Sequence, residues 1–125
     1  MRWKKLNAKW KEKNSSRWRA LRKILSLDLS LSSTGFAILN DDEIIYCGKI
    51  CTNPTDFNRS DEKRMHYIAN TLKDLAEEYG VSYIAIENTY TGVNPKVSST
   101  LARLCGFVCQ ALMSYNKNIV IGIYI

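Results

Sequence analysis

Residues 24–50 read ILSLDLSLSSTGFAILNDDEIIYCGKI, and the punctuation of this stretch decides the fold. ILSLDLS (24–30) alternates apolar and polar side chains, the two-residue period of a β-strand, with Asp28 near its C-terminal end. Ser32-Ser33-Thr34-Gly35 breaks the alternation, and FAILN (36–40) reads as a second strand. Asn40-Asp41-Asp42 is a turn signal, after which EIIYCGKI (43–50) forms a third. Three strands on connections this short make an antiparallel meander.

Beyond the meander the period changes. A loop, CTNPTDFNRS (51–60), ends in Ser60, a side chain suited to capping a helix whose first turn holds Asp61 and Glu62. Met65, Ile68, Leu72, Leu75, Ala76 and Tyr79 form its apolar stripe, and Gly80 supplies the stop. VSYIAIE (81–87) is a fourth strand that closes on Glu87. Asn94-Pro95 is an N-cap and first-turn pair for a second helix, striped by Val97, Leu101, Leu104, Val108, Leu112 and Tyr115. Asn116-Lys117-Asn118 is a turn, and IVIGIYI (119–125) is a fifth strand. The order βββαβαβ predicts an α/β domain over residues 24–125: a five-stranded mixed sheet with helices packed on it. Its crossovers make strands one, four and five parallel.

In front of this domain lies an arm of different character. Residues 1–23 hold ten Lys/Arg and one acid, whereas residues 24–125 hold eight Lys/Arg and eleven acids, so the +6 of the 125-residue chain belongs to the arm. Such a charge excess points to a polyanion partner. Trp3, Leu6, Trp10, Trp18 and Leu21 share one arc of an ideal helix, with a break at Asn14-Ser15-Ser16. The main readings are a DNA-contacting extension, or a tail that docks its tryptophans on its own domain or a partner, with membrane-surface binding a distant third. No apolar run reaches the ~18 residues of a membrane span, and no secretory leader is visible, so a reduced, cytoplasmic protein with no membrane partner is expected. Cys47, Cys51, Cys105 and Cys109 form two CxxxC pairs rather than tight CxxC knuckles and read as buried small residues.

Asp28 and Glu87 carry the chemistry. Each ends an apolar strand, and neighbouring parallel strands lie ~4.8 Å apart, so their carboxylates can reach one cation. Crevices at strand C-termini are where open α/β sheets bind ligands, and oxygen donors of this kind suit Mg²⁺ or Mn²⁺. Such ions promote phosphodiester cleavage. Asn94, Lys96 and Arg103 flank the acids with donors for phosphates, and Ser30 and Thr34, in the polar loop after Asp28, join them as candidate DNA contacts.

At these residues the sequence resembles a known family. ILSLDLSLSSTGFAIL looks like the opening of RuvC-type Holliday-junction resolvases, with a strand, an Asp, a short polar loop and a Gly. YIAIENTYTGVNPKVSSTLARLCG is similar to the same family's second block, in which a strand ends in a catalytic Glu, an aromatic follows, and an Asn precedes a Gly-containing helix. The corresponding positions here are Glu87, Tyr90, Asn94 and Gly106. The resemblance covers about residues 24–125. It implies a ribonuclease-H-like fold and a dimeric, Mg²⁺-dependent endonuclease that nicks four-way DNA junctions, paired through the helix spanning about 95–115. It also implies Asp28 and Glu87 as catalytic metal ligands and Tyr90 as an aromatic that stacks on a base near the junction centre. A loop aromatic covering the core edge is the plainer reading of Tyr90.

Two features depart from the family. Its further catalytic carboxylates come from a helix after the fifth strand, whereas here no acid follows Glu87 and the final helix is missing. Cys105 stands where many relatives carry a basic residue. The sequence therefore reads as a fragment of a longer resolvase, or as a degenerate relative that binds branched DNA without cutting it. An actin-like kinase or ATPase fragment is a further alternative, opposed by the single Gly of DLSLSSTG.

Overall fold

The alternation of residues 24–50 is realised as three strands, β1 (Lys23–Asp28), β2 (Ser33–Asn40) and β3 (Glu43–Cys51), in a computed structural model that describes residues 23–88, 94–115 and 119–123. They are followed by α1 (Asp61–Tyr79), β4 (Tyr83–Asn88), α2 (Pro95–Met113) and β5 (Ile119–Ile123). The strands hydrogen-bond in the order β3-β2-β1-β4-β5. The meander pairs are antiparallel, and the β1–β4 and β4–β5 pairs are parallel; α1 carries the chain from β3 to β4 and α2 from β4 to β5.

One boundary differs from the expected one, and the difference bears on function. β2 begins at Ser33, not Phe36, so Thr34 and Gly35 are ladder residues opposite Ile50 and Lys49. The break in alternation shrinks to residues 29–32. The Thr34 hydroxyl draws this loop shut, donating to the Ser30 carbonyl at 2.6 Å and accepting from the Ser30 amide at 3.2 Å.

Both helices start and stop where their caps direct. Ser60 accepts from the Lys63 amide at 3.2 Å, and Gly80 ends α1 at φ 61° while its amide donates to the carbonyls of Ala76 and Glu77. Asn94 accepts from the amides of Lys96 and Val97, with Pro95 in the first turn. Leu25 and Leu27 of β1, with Phe36, Ile38, Ile84 and Ile86 beside them, present one sheet face to Met65, Ile68 and Leu72 of α1 and to Leu104, Val108 and Leu112 of α2. Among the described residues no helix is long and apolar enough to cross a membrane.

Three expected core positions are corrected. Val97 is 53% exposed, because the first turn of α2 faces the loop after β1 rather than the sheet, and Ser98 is buried in its place. Cys47 and Cys51 are exposed, since β3 is the edge strand and neither helix covers it. Cys105 and Cys109 are half-buried free thiols, one helical turn apart with sulfurs 3.8 Å from each other. The hydrogen bond between the two thiols lowers Cys105 to about 7 and, with burial, holds Cys109 above the ordinary thiol range. The N-terminal arm, the 116–118 turn and Tyr90 lie outside the described residues.

Two glycines make opposite predictions for one chemical change. Gly80→Ala places a Cβ on a left-handed residue and is expected to destabilise the chain by about 1 kcal/mol. Gly106→Ala, in mid-helix with open space around the added carbon, is expected to stabilise it by up to about 1 kcal/mol. Urea unfolding of the two variants beside the parent chain measures both.

Candidate metal centre

The parallel pairing of β1 with β4 fixes the geometry of the site. Its register sets Ser26 beside Ala85, Leu27 beside Ile86 and Asp28 beside Glu87. Leu27 and Ile86 point into the helix-covered core, so by strand alternation the two acids leave on the opposite face, adjacent to one another. Gly35 pairs with Asp28 on one side and Gly122 pairs with Glu87 on the other. The row across the sheet therefore reads Lys49, Gly35, Asp28, Glu87, Gly122, two carboxylates with no side chain immediately on either flank. Sequence reading missed this pair of glycines because it appears only once the register is known.

Glu87 is buried at 5% exposure and Asp28 is half-buried. Two carboxylates held side by side, one of them withdrawn from water, form a site that favours a cation. The donor set, two hard oxygen ligands, fits Mg²⁺ or Mn²⁺, which keep several waters or substrate oxygens in their coordination shell. Among the described residues no cluster of three or more His, Cys, Asp or Glu side chains forms, so the pair is what the described chain offers.

A cleft of about 500 Å³ opens beside Asp28. Asp28, Ser30 and Leu31 line one wall, and Lys96, Val97 and Leu101 of the first turns of α2 line the other. The Asn94 cap aims this helix start, and Lys96, exposed in its first turn, brings the cleft an ammonium group.

The remaining candidates are placed elsewhere. Thr34 is fully buried, its hydroxyl committed to Ser30, and so shapes the loop instead of meeting DNA. Ser30 reaches the cleft while its hydroxyl accepts from the Ser33 amide at 3.4 Å. Asn94 spends its side-chain oxygen on the cap. Arg103 is drawn to Glu62 at the start of α1 and is not part of the cleft wall. The helix-terminal backbone amide at Glu62, with help from the Arg103 guanidinium, holds that carboxyl below its ordinary range.

A buried cation unforeseen in the sequence braces the site. Arg64 of α1 is 5% exposed. Its Nε donates to the Thr52 hydroxyl at 2.9 Å and its Nη2 to the Thr52 carbonyl at 3.3 Å, with Asp61 3.6 Å away. Thr52 in turn donates its hydroxyl to the Leu31 carbonyl and its amide to the Ser32 carbonyl. Helix α1 is thereby tied through Thr52 to the loop that follows Asp28. The only available signal was an arginine breaking an otherwise plain helical stripe.

The chain has relatives among known proteins, which speak to its family and fold. The family described as Lactococcus phage M3 protein matches residues 21–123. The crossover junction endodeoxyribonuclease RuvC of Wolbachia sp. subsp. Drosophila simulans (strain wRi) is 35% identical over 95 residues, spanning 72% of this chain and 57% of that protein. The RuvC of Wolbachia sp. subsp. Brugia malayi (strain TRS) is likewise 35% identical, over 74% of this chain and 58% of its own length. The chain thus spans little more than half the length of these relatives. Among solved structures, T. thermophilus RuvC in complex with a Holliday junction substrate superposes with a TM-score of 0.69 at 10% identity, covering 82% of this chain and 64% of that one. At that identity the likeness is one of fold, and with the mixed sheet and its two helices it fits the ribonuclease-H-like class.

The brace is testable. Arg64→Leu is expected to cost about 1–3 kcal/mol by removing the guanidinium donors to the Thr52 hydroxyl and carbonyl, and to speed amide exchange at Ser30 and Thr52. Hydrogen exchange read residue by residue checks it, and unchanged protection in residues 29–32 would refute the brace.

Proposed function

The chain belongs to the Lactococcus phage M3 protein family and is of RuvC type, and from that premise we propose that it serves as a Mg²⁺-dependent, structure-selective endonuclease acting on four-way DNA junctions. The observation that carries the proposal is the in-register pair Asp28–Glu87, set between two glycines at the mouth of a cleft. Pairing of two chains through α2 and a cytoplasmic setting belong to the same reading.

Asp28 and Glu87 would hold the ion. Bound there, Mg²⁺ or Mn²⁺ supplies a water of lowered pKa and offsets the charge that develops on a phosphodiester during hydrolysis. The protein's own contribution is placement. The Lys96 ammonium meets a phosphate oxygen on the far wall of the cleft, and the Ser30 hydroxyl stands beside Asp28 as a second donor. The Val97 and Leu101 side chains beside Lys96, and Leu31 on the Asp28 wall, keep the rest of the cleft apolar. Tyr90, outside the described residues, is assigned to stacking on an unpaired base. Since Arg103 is engaged by Glu62, Lys96 is the α2 cation available to DNA at this cleft.

One observation favours a second reading, a junction-binding relative that does not cut. Among the described residues the site gathers two carboxylates, with no group of three or more His, Cys, Asp or Glu.

Incubation of the chain with a four-way junction separates the two. With Mg²⁺ or Mn²⁺ the expected result is nicking that Asp28→Asn and Glu87→Gln each reduce by orders of magnitude while junction binding persists. Metal at ~100 times its dissociation constant should also stabilise the parent chain by about 2.7 kcal/mol, and Asp28→Asn should lose that gain. Binding without nicking selects the second reading. Absence of both binding and metal stabilisation would overturn the two together.

A further inference from the structure

Cys47 with Cys51, and Cys105 with Cys109, share the spacing CxxxC, and secondary structure decides what each pair can do. On β3, four residues of extended chain carry Cys51 ~13 Å beyond Cys47, too far for one ion to touch both. On α2 the same four residues make one helical turn, and the Cys105 and Cys109 sulfurs stand 3.8 Å apart. Two thiolates held ~2.3 Å from one ion, near the tetrahedral angle, stand ~3.8 Å apart as well. The α2 pair is already spaced as two ligands of a single small cation.

Oxidation fits the pair less well. Cβ atoms one turn apart on a helix are ~5–6 Å from each other, whereas a disulfide needs ~3.5–4.5 Å. Closing an S–S bond here would unwind the turn, and seating an ion would not.

The surroundings suit a soft ion. Both thiols are half-buried, packed against the core on one side and reached by solvent on the other. Beside them Gly106 has no side chain, and nothing lies within 4 Å of where its Cβ would be, so an approach stays open. Met113, 57% exposed, follows Cys109 by four more residues, so its thioether extends the sulfur row along one helix face. No Asp or Glu on α2 offers a competing hard donor. The hydrogen bond with Cys109 lowers the Cys105 thiol to about 7, so much of it is thiolate, the metal-binding form, at neutral pH. The row is also distinct from the acidic pair, since Cys105 lies ~14 Å of helix beyond Lys96 at the cleft wall. Sulfur donors select Cu(I) and Zn²⁺, whereas carboxylates suit Mg²⁺ and Mn²⁺.

We propose that Cys105 and Cys109 chelate one thiophilic cation, Zn²⁺ or Cu(I), with Met113 as a third soft donor, at a second metal site on α2. Each thiol releases its proton to solvent as its sulfur takes the ion. The ion clips consecutive turns of the helix whose start forms the cleft wall. The site stands whether or not the acids bind metal or DNA is cut.

Cd²⁺ is the probe, because thiolate-to-Cd²⁺ charge transfer gives an ultraviolet band that carboxylates do not. The background is the chain carrying Cys47→Ser and Cys51→Ser, kept reduced with a phosphine. The expected result is a band that saturates at one Cd²⁺ per chain. Cys105→Ser and Cys109→Ser should each abolish that saturable band, and Met113→Leu should weaken binding several-fold. Asp28→Asn/Glu87→Gln should leave the band unchanged. Circular dichroism checks folding, and Cys105→Ala or Cys109→Ala replaces a serine variant that does not fold. Zn²⁺ and, without oxygen, Cu(I) are then set against bound Cd²⁺, and the one that releases it at the lower concentration is the preferred ion. No band in the folded chain, a band untouched by either cysteine variant, or Cd²⁺ that neither ion releases would overturn the proposal. One Cd²⁺ per two chains would overturn it too, and would place the ion between copies.

Discussion

The parallel pairing of β1 with β4 is the constraint on which the rest of the structure depends. Two strands separated by residues 29–82, which hold β2, β3 and α1, meet in a register that sets Asp28 directly beside Glu87. Side chains alternate with period two, so a slip of one residue would send one acid into the core and bring a leucine or isoleucine to the site. The apolar residues on either side of each acid enforce the register. Leu25, Leu27, Ile84 and Ile86 can enter the helix-covered core only in this alignment. Placing the carboxylates and packing the core are thus one requirement.

The glycines and the loop complete the arrangement by different means. Gly35 and Gly122 contribute by placing no side chain at the register positions that flank the two acids. The loop after Asp28 is held from within by Thr34 and from behind by Thr52, itself gripped by the buried guanidinium of Arg64. Buried charge is costly unless its donors are engaged, and the two hydrogen bonds to Thr52 with the nearby Asp61 meet that need. A loop fastened to a long helix is a firmer support for a binding site than one left to solvent.

Much of the fold was legible because its signals are local. Ser60, Gly80 and Asn94-Pro95 mark helix ends through hydrogen bonds within a few residues, and each acts where its chemistry predicts. The positions that misled did so where tertiary environment overrides pattern. Val97 fits the helical stripe but faces the cleft, Cys47 and Cys51 lie on an edge strand no helix covers, and Thr34 resembled a polar loop contact yet is enclosed.

By itself, the sequence determined the order of elements, the helix ends, the two acids at strand ends and the split between a basic arm and a mildly acidic domain. These follow from periodicity, capping and composition, which operate over a few neighbouring residues. Only the tertiary structure decided that Asp28 and Glu87 share a row with flanking glycines, that Arg103 turns to Glu62 while Lys96 faces the cleft, and that Arg64 braces the loop through Thr52. Each of these depends on register or packing between distant segments, which no local pattern encodes.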